Sequence, residues 1–302
     1  MTTLRRTDPV GTNLSSVSDS SNAASAATPT VMNPIPDAAR PLPTDAAQPL
    51  PLTGERTVPG IAEENYWFRR HEIVYERLAS HCAHRTVLEA GSGEGYGANM
   101  IAALAKTVIG LDYDASAAAH VAARYPRIAM LRGNLAQLPI EDSSVDVVVN
   151  FQVIEHLWDQ AQFLDECFRV LTPGGLLLIS TPNRITFSPG RDTPLNPFHT
   201  RELNATELTE LLEDARFAVQ EMTGVHHGGA LRALDAKHGG SFIDAQIERA
   251  LAGQPWPAEL TTDVAAVTTA DFDLTPENID ASLDLVAIAV KPDSAHVISV
   301  SG

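Results

Sequence analysis

Cysteine is almost missing from this chain: Cys82 and Cys167 are the two in 302 residues. Two isolated thiols build neither a disulfide framework nor a zinc-ligand spacing, so a reducing compartment is expected. Basic residues are also scarce, 21 against 38 acidic ones, for a net charge of −17. A surface of that sign repels a phosphate backbone, and no nucleic-acid partner is expected. Eighteen apolar residues never run together, and MTTLRRTDPV is followed by no apolar leader segment. Neither stable membrane insertion nor export is therefore expected, and the reading is cytoplasmic.

Aromatic residues are lacking above all from residues 1–58, where alanine, serine, threonine and proline dominate. Such a segment cannot bury enough apolar surface to offset its ordering entropy, so a disordered tail is expected there. The domain is expected over 59–295. It opens with NYWFRRHEIVYERLASHC, whose residues Tyr66, Phe68, Ile73, Val74, Leu78 and Cys82 recur close to the helical period. Short apolar runs then alternate with helical patterns: TVLEA, TVIGLD, IAMLRG, VDVVVNF, LLLISTP and AVQEMTGV read as strands, and LDLVAIAVKP as the last one. That alternation predicts an α/β fold with a doubly wound, mostly parallel sheet. Residues 228–281 read as an insertion with one or two helices broken at Gly239 and Gly240, placed to roof a substrate site or to join a homodimer.

In VLEAGSGEGYG, after the first strand, Gly91, Gly93 and Gly95 allow a ligand to approach the backbone and aim a helix N-terminus at negative charge. Dinucleotides and S-adenosylmethionine both use such a loop. The dinucleotide spacing calls for glycine where this chain has Tyr96, and Glu89 suits an ammonium or sulfonium better than a pyrophosphate. A nicotinamide oxidoreductase is disfavoured accordingly. Asp112 ends the second strand where doubly wound folds place a carboxylate on a ribose diol. Tyr113 beside it, and Asn134 with the Leu135 N–H after the third strand, complete the outline of an adenosine site.

Gly91 to Gly97, Asp112, Asn134 and FQVIEHLWDQAQFLDECFRVLTPGGLLLISTPN resemble the class I S-adenosylmethionine-dependent methyltransferases over residues 61 to 295. Glu155 and His156 after strand four, with NPFHTREL after strand five, are similar to the subgroup that methylates oxygen on small molecules and sugars. More narrowly, ENYWFRRHEIVYERL, NPFHTREL, HGGSFIDAQ and ASLDLVAIAV resemble mycobacterial methyltransferases associated with 6-O-methylglucosyl lipopolysaccharide biosynthesis. The resemblance implies a Rossmann-like sheet with an antiparallel last strand. It also implies S-adenosylmethionine as cofactor, held by Glu89, Ala90, Gly91, Ser92, Gly93, Gly95, Asp112, Tyr113, Asn134, Leu135 and Phe151. The expected reaction is O-methylation of a sugar hydroxyl on an oligosaccharide or small-molecule acceptor. A quinone, phenol or other small metabolite is the alternative acceptor, and a non-catalytic cofactor-binding subunit the remaining reading.

A sugar hydroxyl is a weak nucleophile, so a base beside it helps. Parallel topology puts the loops after strands four, five and six on one edge of the sheet, and these carry Gln152, Glu155, His156, Asn183, His199, Glu202, His226 and His227. His156 is the first candidate for the base and His199 the second, the alternative for each being a histidine bonded to a backbone carbonyl that only packs its loop, and Glu155 reads as orienting a neighbour or capping the helix that follows. A metal held by His199, His226, His227 and Glu202 is the weaker alternative, and no metal is expected. Arg69, Arg70 and His71 read either as part of a lid or as a solvated helix face.

Overall fold

The computed structural model describes residues 56–293. The expected tail lies outside the described residues up to 55. Arg56 pairs with Asp114 at 3.0 Å, the Thr57 hydroxyl lies 3.2 Å from that of Tyr96, and Val58 is buried. These three residues, at the expected end of the tail, lie against the domain.

Strands β1 (Thr86–Ala90), β2 (Thr107–Asp112), β3 (Ile128–Arg132) and β4 (Val145–Phe151) are parallel, and β5 (Leu171–Pro182) continues the set beside β4. The order across the sheet is β3-β2-β1-β4-β5-β8-β6-β7. Here β6 is Ala218–His227, β7 is Phe272–Thr275 and β8 is Asp284–Val290. The antiparallel strand expected last is β8, which lies between β5 and β6. Chain direction reverses its progress across the sheet between β1 and β4, so the carboxyl ends of these strands border a crevice.

Successive strand residues face opposite layers, which is why these strands are apolar throughout. Val87 packs into one core with Ile73 and Val74 of α1 (Asn65–Leu78), Ile101 of α2 (Tyr96–Ile101) and Val121 of α3 (Ala115–Arg124). Leu88 packs into the other with Phe163 and Leu164 of α4 (Gln160–Val170) and with Leu208 and Leu212 of α6 (Ala205–Asp214). A one-turn helix, α5 (Arg184–Phe187), follows β5. Both cysteines are buried and unbridged, one in each core. Among the described residues no helix is long and apolar enough to cross a membrane.

Arg70 is not on a solvated face, and it lines the cavity described below. It lies on the buried face of α1, donates from Nε and Nη2 to the two Asp284 carboxylate oxygens at 2.6 Å each, and donates to the Leu283 carbonyl. The insertion holds three helices, α7 (Gly229–Lys237), α8 (Phe242–Ala252) and α9 (Ala258–Ala266), followed by β7. Gly239 and Gly240, at φ +86° and +108°, break the chain between α7 and α8 where the sequence places the break. The end of α9 docks on α1 through Asn65, whose amide donates to the carbonyls of Val264 and Val267.

Candidate active site at the carboxyl edge of the sheet

The glycine loop is set by backbone bonds. Gly91 and Ser92 donate to the Leu111 carbonyl, and Gly93 N–H donates to Asp112 Oδ2 at 2.8 Å. Gly91 and Gly95 need their left-handed backbone, φ +94° and +86°, and have no room for a side chain. A Cβ on Gly91 would lie 2.7 Å from both γ-carbons of Val153, and one on Gly95 would lie 2.6 Å from Val121. A Cβ on Gly93 would meet no protein atom within 4 Å. Gly93 therefore forms the open floor of a cradle, and its neighbours are fixed by packing.

Beside the loop, Glu89 is buried and accepts the Tyr75 hydroxyl at 3.0 Å on Oε1, while Oε2 has no partner within hydrogen-bond geometry among the described residues. Burial pushes its carboxyl up to about 8, against the pull of that hydroxyl. A buried carboxylate oxygen without a donor, next to an open cradle, is a fitting environment for a ligand ammonium. Asp112 is buried too, which raises its pKa, and the N–H groups of Asp114 and Gly93 oppose the rise. Each carboxylate oxygen has a second lone pair for a hydroxyl. Tyr113 is exposed beside it, and Leu135 is buried. Asn134 Oδ1 is turned onto the Ala136 N–H at 3.0 Å, so an adenine amino group would share that oxygen. Phe151 at the end of β4 meets the Tyr75 ring edge-on at 4.8 Å. These residues fit an adenosine with an aminoacyl arm.

Two residues of α1 complete the site from the opposite side. Tyr75 touches Glu89, Tyr96 and Phe151 and presses on Gly97, where a Cβ would collide with its ring. The Nδ1 of His71 lies 3.4 Å from the Thr57 hydroxyl. Burial, opposed by Asp284, holds its imidazole down to about 4, so it is neutral at neutral pH. The sequence reading did not include Tyr75, because its signal, an aromatic on the buried face of the first helix, is shared with ordinary core residues.

After β4 the chain turns through Gln152, which has φ +57° and donates its N–H to the Ser180 carbonyl. The turn delivers Glu155 and His156 to the loop after β5. His156 Nδ1 lies 3.0 Å from the Phe198 carbonyl, an acceptor, so Nδ1 carries the proton of the neutral ring. His199 Nδ1 bonds Glu202 Oε1 at 2.7 Å, and the two imidazoles meet edge-on at 4.8 Å. Glu155 is buried and pushed up to about 8 by desolvation, with the Thr181 hydroxyl on its Oε2 pulling the other way. Its Oε1 lies 4.0 Å from His156 Nε2.

The other edge residues go elsewhere. His227 bonds the Tyr66 hydroxyl and Asp235, each at 2.7 Å, so it latches α1 to α7 rather than joining His199 and Glu202. Asn183 is buried, caps α5 and donates to the carbonyls of Ile279 and Ser282. A cavity of about 320 Å³ is separated from His199 by the ring of Phe187 and is also lined by the buried Arg70. Thr186, Phe187, Arg191 and Leu195 line one wall, and Ser241 and Asp244 at the start of α8 line the other. Phe187 stacks on His199 at 5.4 Å between ring centres.

A family described as a methyltransferase domain matches residues 88–179. A protein of Mycolicibacterium smegmatis named a probable S-adenosylmethionine-dependent methyltransferase is 71% identical over 244 residues, covering 80% of this chain and 95% of that protein. One of the same description from Mycobacterium tuberculosis is 66% identical over 245 residues, covering 80% and 89%. Among solved structures, the [4+2]-cyclase SpnF superposes with a TM-score of 0.50 at 20% identity, over 74% of this chain and 80% of that one. That likeness shows the fold alone, whereas the mycobacterial relatives match over four fifths of this chain and most of their own length. The chain belongs to the class I S-adenosylmethionine-dependent methyltransferases.

Proposed function

We propose that this methyltransferase methylates a sugar hydroxyl during the making of a methylated polysaccharide of the methylglucose lipopolysaccharide kind, with His156 as the proton acceptor. The observation that carries the reading is the grouping of His156, His199 and Glu155, with Phe187, which stacks on His199, lining a cavity whose walls mix polar and apolar side chains. An amine or thiol acceptor would need no such cluster, but a hydroxyl is too weak a nucleophile at neutral pH without a base.

When bound, S-adenosylmethionine supplies a methyl group on a sulfonium as the electrophile. Glu89 and the glycine loop would hold its aminoacyl arm, Asp112 its ribose, and Tyr113, Asn134 and Leu135 its adenine. The Phe198 carbonyl keeps the His156 proton on Nδ1, which leaves Nε2 to accept one. His199, held by Glu202, sets the plane against which the His156 ring rests. A proton arriving on His156 also favours ionisation of the neighbouring Glu155, which then stabilises the imidazolium. Thr186, Arg191, Ser241 and Asp244 are placed to hydrogen-bond an acceptor's hydroxyls, and Phe187 and Leu195 to cover its apolar face. Holding the hydroxyl in line contributes up to roughly 7 to 11 kcal/mol. In this reading α8 of the insertion is a wall of the acceptor site.

The test is transfer of a labelled methyl group to short glucans and, in parallel, to phenolic acceptors. Transfer to glucan is expected, and His156→Ala should lower it by about 10² to 10⁴ while leaving cofactor affinity unchanged. Methylation of the phenols alone would overturn the sugar reading.

A further inference from the structure

We propose that Glu155, His156 and His199 form a binding site for a divalent transition-metal ion of the zinc class, and that an ion there blocks methyl transfer by occupying the proton-accepting nitrogen of His156. The blocking effect rests on the proposed base role of His156; the site itself does not.

One ligand atom from each of the three side chains lies within 4.8 Å of the other two, and among the described residues this is the one such group of histidine, cysteine and acidic side chains. Each is oriented from outside. The Phe198 carbonyl takes the Nδ1 proton of His156, and Glu202 Oε1 takes that of His199. Both rings therefore offer Nε2. This pattern, a carboxylate or carbonyl fixing the far nitrogen of an imidazole, is how protein metal sites orient their histidines. The Asn196 amide, 3.1 Å from His199 Nε2, donates to that nitrogen and marks its lone pair. Thr181 engages Glu155 Oε2 and leaves Oε1 on the side of His156 Nε2, 4.0 Å away.

Two imidazoles and one carboxylate make a three-ligand zinc set with a fourth position open. The same donors suit magnesium and calcium poorly, since those ions take oxygen. Zinc bonds of about 2.0 to 2.2 Å require the three atoms to draw together and the Asn196 amide to swing aside. The ligands sit on two facing loops, after β4 and after β5, so contraction needs side-chain rotation and no change in the sheet.

Zinc, and separately magnesium, would be titrated by calorimetry into the metal-stripped full chain without S-adenosylmethionine. Zinc should bind at about one ion per chain and magnesium should give no heat. His199→Ala should weaken zinc at least tenfold, and Glu202→Gln, which removes the outer carboxylate, by about 10- to 100-fold. Unchanged S-adenosylmethionine affinity in both variants would show that they fold. No zinc heat, or equal heat in the wild type and both variants, would overturn the site. In the glucan assay zinc should lower transfer and a chelator restore it. Transfer that rises with zinc would overturn the inhibition and remove His156 as the base, while the calorimetry would still decide the site.

Discussion

The hydroxyl of Tyr75 on α1 donates to Oε1 of Glu89 on β1 at 3.0 Å, so the roofing helix supplies a side-chain hydrogen bond to this buried carboxyl. Tyr75→Phe removes that hydrogen bond from the carboxyl. A hydrogen bond to a charged group is worth about 1.5–3 kcal/mol, so S-adenosylmethionine affinity should fall roughly tenfold to a hundredfold. Calorimetry on the folded variant checks this, and equal affinity would mean that Glu89 does not face the ligand.

Glu155 and Glu89 should make the protein less stable as pH rises. Each carboxyl has its pKa raised from 4.5 to about 8 in the fold, so the native state keeps a proton that the unfolded chain releases. Their contribution is fully present below about pH 4.5 and is lost as pH climbs through about 8. The lowered imidazoles of His71, His226 and His227 oppose this only below about pH 6.5, so melting temperatures taken from pH 6.5 to 8 should fall, and Glu155→Gln should flatten its share of the slope. An identical slope in the variant would show that Glu155 titrates normally.

The glycines should separate by what they break. Gly91→Ala sets a methyl group 2.7 Å from Val153 and should fail to fold or melt far below the wild type. Gly93→Ala meets no protein atom, so it should cost only the roughly 1–2 kcal/mol of a left-handed residue yet abolish cofactor binding by filling the cradle. Thermal melts and cofactor titrations on both variants check the contrast, and intact binding in Gly93→Ala would place the cofactor elsewhere.

Arg70 and Asp284 should behave as one unit. Arg70→Ala strands a buried carboxylate and should cost about 3–5 kcal/mol in denaturant unfolding. Arg70→Lys should recover only part, because an ammonium cannot reproduce the paired contacts. The Arg70→Ala, Asp284→Ala double variant should lose much less than the sum of the singles.

The sheet was legible because strands buried on both faces, such as VDVVVNF and LLLIS, are apolar without alternation. The glycine loop was legible because its conformation restricts the residues allowed there. His156 and His199 were found by topology alone, since it puts two distant loops on one edge. Tyr75 was hidden because its partner Glu89 is 14 residues away on another element. Asn183 looked like a site residue and is a latch, since its four acceptors lie near residue 280. In the insertion, α9 and β7 went unread because each is short: α9 is held by its docking on α1, and β7 by pairing with β6.

Strand β8 follows every other strand in the chain yet lies in the interior of the sheet. As the chain emerges from the ribosome, β1 to β5 can pair in turn, but β6 and β7 have no strand joining them to that half until residues 284–290 appear. During that interval β5 and β6 present open edges to any passing strand. Synthesis of this protein therefore passes through a window of aggregation risk that closes only when β8 inserts between them.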